Sequence, residues 1–159
     1  MTIAEYPPEY PPAPTDRSEA PPDRTPPQDL AAEQSVLGAM LLSKDAIADV
    51  VEIISQADFY KPAHQSVFGA ITDLFTRGEP ADAITVAAAL TESGDLGRIG
   101  GAQYLHTLVS LVPTAANASY YAEIVRDTAI RRRLVDAGTR IAQDAYRGEG
   151  AVDQLVDRA

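Results

Sequence analysis

The chain of 159 residues contains no cysteine and no tryptophan. Without thiols it can form no disulfide, offer no thiolate nucleophile and ligate no metal through sulfur. Lysine is almost absent: Lys44 and Lys61 are the only two, and neither follows a glycine-rich turn. The phosphate-cradling pattern G-x-x-x-x-G-K-[ST] is missing, and the glycines of SGDLGRIGG do not fit G-x-G-x-x-G, so they read as a loop between helices. Nucleotide hydrolysis by the P-loop route is therefore excluded for these residues. Apolar runs are short, and AMLL at Ala39 to Leu42 is far below the length that spans a bilayer. The amino end is acidic and proline-rich, where a secretory signal needs basic residues followed by an apolar run. A cytoplasmic protein with no membrane contact is expected.

Positive charge is scarce as well. Thirteen Lys and Arg face 23 Asp and Glu, giving a net charge of −10 and a pI near 4.5. Affinity for nucleic acid comes largely from neutralising phosphates, so direct DNA binding is not expected, and a partner with a basic surface is the better electrostatic match. One segment departs from this balance. From Glu123 to Arg147 six arginines (Arg126, Arg131, Arg132, Arg133, Arg140 and Arg147) stand against four acids.

Candidates for catalysis or metal binding are few. His64 and His106 fall on separate predicted helices and lack a pattern such as H-E-x-x-H, so each is expected to be an ordinary core or surface residue. Asp45 and Asp49 share a helix face at i,i+4 spacing, which normally marks a solvated surface. No catalytic residue, cofactor-binding residue or metal ligand is expected in this chain.

The distribution of proline and large aliphatics sets the organisation. Residues 1–28, MTIAEYPPEYPPAPTDRSEAPPDRTPPQ, hold nine of the twelve prolines and almost no large aliphatic side chain. Such a segment cannot bury enough surface to offset its ordering entropy, so a disordered, semi-extended tail is expected. It reads either as a plain extension or as a proline-rich ligand for an aromatic groove.

From Asp29 onward the apolar periodicity is helical, which predicts an all-α fold: a compact helical head over 29–112, then a helical hairpin over 113–159. Asp29 caps a first helix, LAAEQSVLGAMLL, with Val36, Leu37, Met40 and Leu41 as its stripe. DAIADVVEII supplies a second, with Ile47, Val50, Val51 and Ile54. A third begins at Pro62, stops at Gly78 and presents Val67, Phe68, Ile71, Leu74 and Phe75. A fourth starts between Asp82 and Thr85 and ends at Gly94, although the β-branched piece DAITV leaves a short strand open there. AQYLHTLVSL is the fifth, with Tyr104, Leu105 and Leu108.

The segment from Pro113 to Gly148 reads as one long helix of roughly 45 Å. It carries apolar residues every three or four positions: Tyr120, Ile124, Leu134, Ile141 and Ala145. These can pack on the head and a short second arm, or form a seam between subunits, since an exposed apolar strip of that length is an association site. Gly138 costs about 1 kcal/mol relative to alanine in a helix interior, and close approach of a neighbouring helix is one reason for its presence. Arg131, Arg132 and Arg133 read as a solvated face with pairs Asp127 to Arg131 and Arg132 to Asp136, as a docking point for an acidic partner, or as a nucleic-acid contact. After GEGA, VDQLVDRA places Val152, Leu155 and Val156 at helical spacing, a second arm cut short below the length of an independently stable helix.

Five of these segments, taken in order, resemble a known family: AAEQSVLGAMLL, DFYKPAHQSVFGAITDLF, DAITVAAAL, GGAQYL and PTAANASYYAEIVRDTAIRRRLVDAGTRIAQDAY. Together they are similar to the N-terminal domain of bacterial replicative DNA helicases of the DnaB type, from about Asp29 to the end of the chain. The resemblance implies a collar domain on a hexameric ring, with ATP and Mg used by a separate RecA-like motor domain. It implies pairing through the hairpins as a trimer of dimers, docking of primase on the collar, and action of a helicase loading factor. On that reading Tyr120, Ile124, Leu134, Gly138, Ile141 and Ala145 belong to the subunit interface, and Arg131 to Arg133 are a docking point. The competing reading is a stand-alone acidic helical adaptor that recruits other proteins; a reading frame continuing into a Walker-type motif separates the two. On either reading the purified chain should release no phosphate from ATP above buffer background in a malachite-green assay, and robust release that follows the pure protein would refute the assignment.

Overall fold

The computed structural model describes residues 25–148 and 151–158. Among them the secondary structure is helical, with no strand. The α-helices are α1 (Leu30–Leu42), α2 (Lys44–Val51), α3 (Pro62–Thr76), α4 (Ala83–Ser93), α5 (Leu96–Ile99), α6 (Ala102–Ser110), α7 (Ala118–Arg147) and α8 (Val152–Arg158). Single 3-10 turns at Gln56–Asp58 and Ala115–Asn117 join α2 to α3 and α6 to α7.

The head is built around α1. The sequence suggests one apolar stripe on this helix, but the structure buries it on several sides, with α2, α3, α6 and α7 packed around it. Small residues make this possible: Ala32, Gly38 and Ala39 are buried between Val36, Leu37, Met40 and Leu41, so neighbouring helices come close without large side chains to displace. The tightest approach is at Gly38, where an added Cβ would lie 2.2 Å from the Leu108 carbonyl oxygen and 2.7 Å from Val112 Cγ2. Ile47, Phe59, Phe68, Ile71, Leu105 and Val125 are among the side chains that complete the core, with the Phe59 and Phe68 rings 5.1 Å apart.

Local chemistry places the helix ends. The Asp29 carboxylate accepts the Ala32 N–H at 2.9 Å, and Ser43 both terminates α1 and caps α2. Pro62 opens α3, where a missing N–H costs nothing. Beyond its end, Gly78 at φ 74° lets the Glu79 N–H return to the Leu74 carbonyl at 2.9 Å. The DAITV piece starts α4 rather than a strand, because Asp82 accepts the N–H groups of Ile84 and Thr85, each at 2.9 Å. The Thr85 N–H above all, helped by that of Ile84 and the Thr85 hydroxyl, holds the Asp82 carboxyl below its ordinary range despite slight burial.

Two boundaries differ from the sequence reading. DLGRIGG, read as a loop, contains the one-turn α5, closed by Gly100 at φ 104°. The long helix begins at Ala118, after a 3-10 turn in which the Thr114 hydroxyl accepts the Ala116 N–H. The expected tail over 1–28 lies outside the described residues as far as 24; of the rest, Thr25 and Pro26 are exposed, and Pro27 and Gln28 are half-buried. Residues 149–150, on which the expected hairpin turn falls, also lie outside the described residues.

The 30 residues of α7 divide functionally. Ala118, Ala122, Val125 and Ala129 are buried against the head, whereas after Arg133 every described residue of the helix except Ala137 is exposed. The helix therefore leaves the head as an arm. Gly38→Ala tests the packing that supports this arrangement. Overpacking at a backbone contact should lower stability by about 1–3 kcal/mol, read as a lower urea midpoint at unchanged slope, while an unchanged midpoint would mean that the α1–α6 crossing yields freely.

Candidate functional site

A polar network lies inside the head. Glu33 sits on α1 among apolar neighbours and is fully buried, as is His64 on α3. The Glu33 carboxylate accepts the Tyr60 N–H at 2.6 Å and the Lys61 N–H at 3.4 Å, and lies 2.5 Å from Nδ1 of His64. The other ring nitrogen, Nε2, is 2.7 Å from the Tyr104 hydroxyl of α6, which Gln34 Nε2 approaches at 3.3 Å. The contacts form a continuous chain from Glu33 through both ring nitrogens of His64 to the Tyr104 hydroxyl, whose oxygen accepts from Gln34. The His64 and Tyr104 rings are parallel, 6.1 Å apart, and Lys61 Nζ lies 5.1 Å from the Tyr104 ring centroid.

Carboxylate, imidazole and hydroxyl stand here in the order used to activate a nucleophile. Both ring nitrogens and both carboxylate oxygens are committed to protein partners, however, so the network ties α1, α3 and α6 together. Sequence reasoning passed over Glu33 and took His64 for an ordinary residue. The available signal was the position of Glu33, one turn before Leu37 on the same face of an otherwise apolar helix. His106, by contrast, is exposed.

The loop Ser55–Lys61 carries this network to the surface. Asp58 is buried and accepts the Ser55 N–H at 2.8 Å, while its second carboxylate oxygen pairs with Arg133 at 3.0 Å. Arg132 donates to the carbonyls of Asp58 and of Pro27, the latter at 2.8 Å, and its guanidinium stands 5.6 Å from the Tyr60 ring centroid. Arg132 and Arg133 thus reach the head rather than their helical neighbours, and neither Asp58 nor Tyr60 was singled out from the sequence. Arg131 is exposed.

The other faces of the arm are bare. Tyr120, Ile130, Leu134, Val135, Ile141 and Tyr146 are exposed, Leu134 at 68% and Tyr146 at 93%. Ala145 is exposed too, and among the described residues, its own helix backbone aside, nothing lies within 4 Å of where a Cβ on Gly138 would be. Ile124 behaves differently, half-buried against the monomer's own core. At 100° per residue, the run Ile130, Leu134, Ala137, Ile141 lies about 120° around the helix from the buried run Ala122, Val125, Ala129. The long helix has two apolar faces, one used by the head and one turned to solvent.

A cleft of about 390 Å³ opens at the far end of α1, lined by Leu42, Lys44, Ile47, Phe75, Glu79 and Asp82. Lys44 stands over the Phe75 ring and Asp82 is occupied in capping α4, so no set of free polar groups converges there. No described helix is long and apolar enough to cross a membrane.

Head, tie and bare arm define a class: an all-helical domain from which one long helix projects as an arm. The DnaB-like helicase N terminal domain family matches residues 25–127. Over 138 residues the chain is 69% identical to the replicative DNA helicase DnaB of Mycobacterium leprae, covering 86% of this chain and 23% of that protein. The crystal structure of the N-terminal domain of DnaB helicase from Mycobacterium tuberculosis has a TM-score of 0.82 at 68% identity, covering 84% of this chain and 94% of that one. The N-terminal domain of DnaB helicase from Helicobacter pylori, solved in a study that also treats its interactions with primase, shares the fold at a TM-score of 0.61 and 20% identity, over 73% and 90% of the two chains. The chain belongs to the family of DnaB-like helicase N-terminal domains. It spans about a quarter of the length of the Mycobacterium leprae helicase.

Glu33→Ala should remove the acceptor for Tyr60, Lys61 and His64 at once and cost about 3–5 kcal/mol. Tyr104→Phe, which removes only the outer end, should cost about 1 kcal/mol. Equal denaturation midpoints for the two variants would contradict a network centred on Glu33.

Proposed function

We propose that this chain is the N-terminal collar domain of a hexameric replicative DNA helicase, serving subunit assembly and partner docking in DNA replication. The observation that carries the reading is the second apolar face of α7, with Ile130, Leu134 and Ile141 exposed along a helix whose other apolar face is already used by the head. Apolar surface of this extent in a regular row is an association surface. The family membership favours this role over a stand-alone adaptor.

In the full protein the arms pair as dimers and three dimers complete the ring, with Tyr120, Leu134, Gly138, Ile141 and Ala145 in the seam. At Gly138 the open side of the helix admits a partner's backbone at short range. ATP and Mg serve a separate motor domain, and the assembly works in the cytoplasm. Primase docks on the collar, a reading supported by the Helicobacter pylori relative, and a loading factor acts on the ring. Arg131, free of the head, and the outer side of Arg133 offer positive charge to an acidic partner.

Ile141→Arg tests the seam. On an exposed face the change should leave monomer stability within about 0.5 kcal/mol, so helical circular dichroism is kept while the mass in light scattering falls toward the monomer. Ile124→Arg serves as the contrast, because it injures the core and lowers the melting temperature. An Ile141→Arg variant with the parent's mass distribution would overturn pairing through this face.

A further inference from the structure

The hold of the head on α7 is uneven along the helix. Its early turns rest on the head through Ala118, Ala122 and Ala129, each burying a single methyl group, with Val125 and the half-buried Tyr121 and Ile124 as the larger contacts. The last grip is polar and lies at one point. Arg132 spans two carbonyls from different parts of the chain, Asp58 in the Ser55–Lys61 loop and Pro27 ahead of α1, and stands over the Tyr60 ring. Arg133 pairs with the buried Asp58 carboxylate beside it. Beyond these two residues every described residue of α7 except half-buried Ala137 is exposed.

The receiving loop is itself held from inside. The N–H groups of Tyr60 and Lys61 are fixed by buried Glu33, and the Asp58 carboxylate is fixed by Ser55. A planar guanidinium with donors on two sides can bridge two carbonyls that a single ammonium cannot hold in the same geometry. The arginines therefore meet a preorganised acceptor set at the point where the helix leaves the head.

We propose that Arg132 and Arg133 form a latch on the Ser55–Lys61 loop that fixes the angle at which the arm leaves the head. With the latch closed, the head and the first four turns of α7 are one body and the arm points in one direction. With it open, the alanine-lined contact lets the helix tilt on the head while both remain folded. The device concerns one protomer and holds whether or not the arms pair. Arg132 is a positioning residue, acting on the arm's direction.

The absence of cysteine makes the test direct. Glu92→Cys on α4 and Gln143→Cys on α7, both exposed, place two spin labels in the full chain, diluted with unlabelled protein so that distances between copies do not contribute. Gln143 lies nine residues beyond Leu134, on the opposite side of the helix from the apolar row. Eleven residues separate it from Arg132, about 16 Å of helix, so a tilt of about 20° moves the label by about 6 Å. Double electron–electron resonance should give one narrow distance in the parent and a distribution broadened by that amount in Arg132→Ala, at unchanged helix content. Arg131→Ala, next to the latch but outside it, should keep the parent's distribution. Arg132→Lys, which keeps charge and stem, should also broaden it, and carries the test if Arg132→Ala does not fold. A parental distribution in the Arg132 variant, or equal broadening in Arg131→Ala, would overturn the latch.

Discussion

A carboxylate in the middle of a buried helix governs this fold. Glu33 cannot be left unsatisfied, because an unpaired buried charge costs more than a small domain has to spare. Three donors answer it: two backbone N–H groups from the loop ahead of α3 and an imidazole from its first turn. Meeting that demand brings α3 against α1, fixes the Ser55–Lys61 loop and, through Nε2 of His64, draws in Tyr104 of α6. Helices that packing alone could slide past one another are set in register by a hydrogen-bond network.

The same loop faces two ways. Its inner side meets Glu33, and its outer side offers Asp58 and Tyr60 to the arginines of α7. The buried network and the arm are therefore neighbours across five or six residues of chain, although the sequence places them far apart. The long helix is held by apolar side chains along its early turns and by charge at the point of departure, and it is largely exposed after that.

Helix existence and type were legible because the head's periodicity and punctuation agree: Asp29, Pro62, Gly78 and Gly94 act where a sequence reading places them. The role of α1 was less legible. A stripe analysis assigns one inner face, whereas Gly38, Ala32 and Ala39 help bury α1 on several sides, all of Val36 to Leu41 being core, and residue size rather than periodicity carries that information. Of the readings open for the arginine run, the i,i+4 pairs are visible in sequence, whereas the Asp58 carbonyl and carboxylate that Arg132 and Arg133 reach, 74 and 75 residues away, are not. Likewise Ile124 and Ile141 look equivalent in a helical repeat. Only the position of the head separates them, covering the first by half and leaving the second exposed.

Charge is divided along the same line as packing. Residues 29–112 carry eleven acids and four bases, while 113–148 carry four acids and six bases. An acidic head joined to a mildly basic arm gives each copy a lasting electrical polarity, felt beyond contact range at low ionic strength. On the proposed pairing, two copies drifting together would be turned before they touch, with heads repelling heads and the arm of one drawn toward the head of the other. Salt would shorten the reach of this steering without altering the apolar row on α7, so the speed of encounter and the durability of the proposed complex would come under separate control.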